Sequence, residues 1–164
     1  MPMLSFKILT IKEMETEILK EKQAMQNFPK TTDFPFSELY RKLATQIKTM
    51  EIASEAILYN SVDAVNENKE FVLKEYWCFA GNGQGDQWFL DKNGNIFFYD
   101  HDYDESLEPM NINFEQWLQM AFVIKQLDNY FDGHDDISES VKQKFYETMD
   151  LIQPGLSEKY PFTF

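Results

Sequence analysis

Trp77-Cys78-Phe79-Ala80, Gln87-Trp88-Phe89-Leu90 and Ile96-Phe97-Phe98-Tyr99 follow one another as three short runs of aromatic and aliphatic residues, separated by glycine-bearing connections. Such runs fit a pleated, half-buried surface better than a helix and predict consecutive antiparallel strands. Between the second and third lies Asp91-Lys92-Asn93-Gly94-Asn95. Its Asn-Gly pair supplies the positive φ angles that a tight hairpin turn demands.

Helical patterns flank this meander. Thr10-Ile11-Lys12-Glu13 has the form of a capping box, and Ile11, Met14, Ile18 and Met25 recur on one side of a 3.6-residue period. This predicts a first helix over about residues 11 to 26. Two prolines interrupt residues 27–35, and Ser37 then caps a second run with the stripe Leu39, Leu43, Ile47 and Met50. Residues 55–59 read as a strand, and residues 61–71 hold a short helix before Phe71-Val72-Leu73. Downstream, Asn113 caps a helix carrying Phe114, Trp117, Leu118, Ala121, Phe122 and Ile124 inward to about Phe131. Ser138 caps a last helix with Val141, Phe145, Met149 and Ile152 on one side, ended by Pro154-Gly155, and the apolar tail from Tyr160 to Phe164 should dock. The expected architecture is α+β, an antiparallel β-sheet meander with helices packed on one side.

The 164 residues, 43% of them hydrophobic, suit a single domain spanning 1–164, with its core at about residues 10–131 and a C-terminal helical extension over 132–164. Cys78, the single cysteine, excludes an internal disulfide and a cysteine zinc cluster, and its apolar setting reads as a small buried hydrophobe. With no leader-like N-terminus and no apolar run of spanning length, the chain is expected to be cytoplasmic, with no membrane partner. Twenty-eight acidic residues against 15 basic leave a net charge of −13, which repels nucleic acid and favours a basic protein partner.

Few motifs carry chemistry. Gly81-Asn82-Gly83-Gln84-Gly85 resembles a phosphate loop, but a strand rather than a helix follows it, so it reads as a plain turn. Asp100-His101-Asp102-Tyr103-Asp104-Glu105 places carboxylates at alternate positions. It fails as a calcium loop, because Glu105 stands where glycine is required and Asn111 where an acidic residue is required. Pairing it with His134, Asp135 and Asp136 would give a metal or acid/base centre, a rival reading built on only two histidines. No catalytic, metal or cofactor residues are therefore assigned. Residues 86–115 instead carry eight acidic side chains against one basic, Lys92, and residues 128–139 carry five more with none. Such a field speeds encounter with a cationic protein, with aromatics such as Trp88, Tyr99 or Tyr103 supplying contact energy. The candidate partner-binding residues are Asp86, Trp88, Asp100, His101, Asp102, Tyr103, Asp104 and Glu105.

The succession Gly83-Gln84-Gly85-Asp86-Gln87-Trp88-Phe89-Leu90-Asp91, Gly94-Asn95-Ile96-Phe97-Phe98-Tyr99-Asp100-His101-Asp102 and Asn113-Phe114-Glu115-Gln116-Trp117-Leu118 resembles the SUKH superfamily. The resemblance covers residues 77–118 well and residues 10–131 loosely. It implies helices packed on an antiparallel sheet and no catalytic residue set, with Gly85, Asp86 and Trp88 in structural roles. For most bacterial members it implies immunity against a toxin, frequently a nuclease. The expected function is stoichiometric occlusion of a cognate, basic toxin. The alternative is a scaffold of the same fold with no toxin partner.

Overall fold

The computed structural model describes residues 6–30, 32–70, 75–101, 107–133 and 138–161. Six strands form one antiparallel sheet in the order of the chain: β1 (Met50–Ala53), β2 (Ala56–Leu58), β3 (Tyr76–Gly81), β4 (Gln87–Asp91), β5 (Ile96–Tyr99) and β6 (Glu108–Pro109). The helices are α1 (Ile11–Ile18), α2 (Glu38–Ala44), α3 (Ser61–Asn68), α4 (Phe114–Asp132), α5 (Glu139–Ile152) and α6 (Leu156–Lys159). This is the expected α+β meander. No helix among the described residues is long and apolar enough to cross a membrane.

The register of the central strands aligns one buried face. Ala80, Trp88 and Phe98 lie side by side across β3, β4 and β5, and Trp77, Leu90 and Ile96 form the next row, all of them buried. A bulge at position 79 disturbs the β3–β4 pairing and turns Phe79 toward Trp117 of α4, with ring centroids 4.8 Å apart. Trp117 also meets Trp88 at 6.0 Å, so the longest helix lies on the centre of the sheet. Each such buried side chain contributes about 1.5–3 kcal/mol. Asn113 and Gln116 close the capping box of α4, and the Gln116 amide also donates to the Ile152 carbonyl of α5 at 3.2 Å. Phe145 and Met149 of α5, fully buried, join the same core, so residues beyond 131 complete the domain rather than trail from it.

β3 outlasts its neighbour β2, which pairs only with Ala80 and Gly81. Asn68, at the end of α3, takes over where β2 stops. Its amide donates to the Cys78 carbonyl at 2.7 Å, and its oxygen accepts the Cys78 N–H at 2.8 Å. One side chain thus stands in for a strand, because a buried backbone pair left without partners would be costly.

Several boundaries differ from the sequence-based expectation. The first helix ends at Ile18 with a 3-10 turn at Leu19–Glu21, because the following residues leave the helix to bond the α2 C-terminus. Gln23 N–H donates to Gln46 and Met25 N–H to Thr45, both at 2.8 Å. The second run stops at Ala44, and Met50 opens β1 instead of ending a helical stripe. In the β4–β5 turn only Gly94 has a positive φ, 84°. The turn is therefore the longer kind in which a left-handed glycine follows an ordinary turn, and Asp91 accepts from the N–H groups of Asn93 and Asn95 at 2.9 Å. α5 ends at Ile152 with Gln153 extended as its C-cap, and Gly155, with φ 86°, is the N-cap of α6, after which buried Tyr160 docks on Phe145 at 5.4 Å. The segment Phe71-Val72-Leu73 and the tail from Phe162 lie outside the described residues.

Candidate functional site

One end of the sheet gathers the β1–β2 turn, the β3–β4 turn, the end of β5 and the side of α4. Asn82 organises it. Its side-chain oxygen accepts the N–H groups of Gln84 (2.9 Å) and Asp86 (3.0 Å), which folds residues 82–86 into a tight loop. Gly85 sits at φ 93°, a conformation glycine adopts without strain. The Asn82 amide donates to Glu55 at 3.0 Å and to Asp86 at 3.1 Å, linking two turns that are distant in sequence.

Asp86 is 6% exposed. Its Oδ1 accepts the His101 backbone N–H at 3.2 Å and lies 2.7 Å from His101 Nδ1. Burial alone would raise this carboxyl, but donors from His101 and Asn82 outweigh it and hold Asp86 below the ordinary aspartate value. Asp86 is thus a carboxylate, and the shared proton belongs on His101 Nδ1 as donor. The pair clamps the end of β5 to the β3–β4 turn.

Glu55 behaves in the opposite way. Burial pushes its carboxyl up, and nearby Asp128 and Asp86 add to this against the Asn82 hydrogen bond. Asp128 itself accepts the Ser54 N–H at 2.8 Å and the Ser54 hydroxyl at 2.9 Å, tying α4 to the β1–β2 turn. Glu55, Asp86, Asp100 and Asp128 therefore come from four separate parts of the chain to one acidic rim.

Asp86, Asp100 and His101 each offer one ligand atom within 4.8 Å of the others. Within the trio, Asp86 Oδ1 and His101 Nδ1 already bond one another at 2.7 Å.

The structure sorts the sequence-based candidates. Asp86, Asp100 and His101 come together at the rim, with Asp100 half-buried and His101 exposed. Trp88 does not belong to a binding surface. It is fully buried, its indole N–H donates to the Glu55 carbonyl at 2.9 Å, and its rings pack on Phe98 and Trp117. Its place on the inward row of β4 forces this. Asp102, Tyr103, Asp104 and Glu105, like His134, Asp135 and Asp136, lie outside the described residues. Tyr99 is half-exposed against Phe89, on the sheet face opposite Trp88. The sequence reading assigned no role to Glu55 or Asn82 and counted Asp128 only as charge; the Asx-type turn of Asn82 was the one local signal. The chain matches no family model, no curated protein and no solved structure.

Proposed function

We propose that this chain is a non-enzymatic binding protein that neutralises a basic toxin domain by stoichiometric occlusion, as an immunity protein does. The observation that carries this reading is the rim itself. Carboxylates of Glu55, Asp86, Asp100 and Asp128 are drawn together from four parts of the chain and braced by Asn82, His101 and Ser54. A preordered negative surface costs little reorganisation when a cation docks, and it steers association with a positively charged face. The net charge of −13 acts in the same direction, and the resemblance of residues 77–118 to the SUKH superfamily supports the toxin partner. In the sequence, Asp102, Asp104 and Glu105 follow His101 directly and add to the negative charge of this part of the chain.

Co-expression with the toxin encoded beside its gene tests the reading: the chain should restore growth and co-purify with the toxin. Replacing Asp100, Asp102, Asp104 and Glu105 with lysine should slow association by roughly tenfold or more at low salt, with the loss shrinking as salt rises. A toxin bound equally well by the charge-reversed protein would refute the acidic interface. A non-toxic binding partner would instead favour the scaffold reading.

A further inference from the structure

A second surface has the opposite charge. Where the end of α1, the approach to β1 and α4 meet, an open groove of about 710 Å³ is lined by Lys20, Lys22, Lys48 and Lys125 against Glu17 and Glu21. Four of the chain's 15 basic residues converge here, although acidic residues outnumber them almost two to one overall. Lys20 pairs with Glu17 at 2.9 Å. Among the described residues Lys22, Lys48 and Lys125 have no ion-pair partner, and all three are exposed. Ile18, Ile47 and Met50 also line the groove, the first two almost fully buried and Met50 partly exposed. The volume falls within the range of small-molecule clefts.

Ammonium groups without an ion-pair partner beside apolar Met50, that of Lys125 lying 5.7 Å over the Phe122 ring, favour an anion with a carbon frame. The size of that anion follows from screening. At physiological salt a charge senses others within about 8 Å, so a small anion inside the groove meets mainly lysines. A nucleic acid or a long acidic segment would run out onto the surrounding surface of a −13 protein and be repelled. We propose that the groove binds a small organic polyanion carrying two or more phosphate or carboxylate groups, held by Lys22, Lys48 and Lys125, with its frame resting on Met50. This groove shares no lining residue with the acidic rim, although Lys125 and the rim's Asp128 both stand on α4, and the proposal does not depend on the partner proposed for the rim.

Calorimetric titration of the whole chain at roughly 50 mM salt, where such contacts are weakly screened, with tripolyphosphate, citrate and ATP tests this. Saturable one-to-one binding of citrate or ATP is the expected result. A response to ATP and not citrate assigns phosphate, a response to citrate alone assigns carboxylate, and a response to tripolyphosphate alone would refute the carbon frame. The combined Lys22→Gln, Lys48→Gln and Lys125→Gln variant should weaken that binding by roughly tenfold or more through lost charge-assisted contacts, with an unchanged thermal midpoint. Lys92→Gln, on the β4–β5 turn, should leave it unaltered. No saturable binding by any of the three, an undiminished affinity in the triple variant, or tighter binding of a short DNA duplex would each overturn the proposal.

Discussion

Replacing Asp86 by alanine removes the clamp between the β3–β4 turn and the end of β5. Three acceptor contacts go at once: two to His101 at 2.7 and 3.2 Å and one to Asn82 at 3.1 Å. Hydrogen bonds to a charged group contribute about 1.5–3 kcal/mol each when shielded, and less when water can replace them. His101 is 39% exposed on its side chain, so part of its loss is recovered by solvent. The summed cost is then about 2–4 kcal/mol, read as a lower urea midpoint at constant slope. Asp86→Asn keeps one acceptor oxygen but turns an amide donor toward donors, and should cost about 1–2 kcal/mol. The pH dependence separates charge from shape. Because the folded carboxyl lies below its unfolded value, its contribution is present above about pH 4 and is lost as pH falls through the folded value. The gap between wild type and Asp86→Asn should therefore narrow in acid. A cost for Asp86→Ala under about 0.5 kcal/mol, or a gap constant from neutral pH into strong acid, would refute the clamp.

Two further substitutions probe neighbouring features. Glu55→Gln should stabilise the protein slightly at neutral pH, by roughly 0.3–0.5 kcal/mol given its half-exposed position. Glu55 has a raised value in the fold, so its charge is a cost that disappears as pH falls through that value; the benefit should vanish in acid, and a loss of urea stability at pH 7 would contradict this. Asn68→Ala should cost about 2–4 kcal/mol by stranding the Cys78 N–H and carbonyl, with faster hydrogen exchange at the Cys78 amide; unchanged exchange there would show that another group covers β3.

Local chemistry made much of the fold legible. Thr10, Ser37, Asn113 and Ser138 cap their helices as their side-chain oxygens require, and the aromatic runs became β3, β4 and β5. β1 escaped because Met50-Glu51-Ile52-Ala53 is four residues long and its methionine fits a helical stripe as well as a strand. Helix α1 was overextended because the ties of Gln23 and Met25 to the end of α2 are made across the chain and leave no periodic trace. At the rim, acidity was visible but burial was not. Asp86 and His101 meet only because β4 and β5 pair in a register that sets Gln87 opposite Tyr99. The same register turned Trp88 inward, where composition alone suggested a contact residue.

In the β1-to-β6 order every strand hydrogen-bonds to the strand before or after it in the chain. The sheet can thus close pair by pair in chain order, over short turns at β1–β2, β3–β4 and β4–β5 that lose little chain entropy, whereas the β2–β3 step must span residues 59–75 with α3. The bond from Asp128 to Ser54, 74 residues away, fastens the first hairpin to α4 and can form only after most of that chain has been ordered or synthesised. A nascent domain emerging from the ribosome would build its ribbon early and latch it late, as α4 docks on both the first hairpin and the N-terminal residues Lys7 and Leu9.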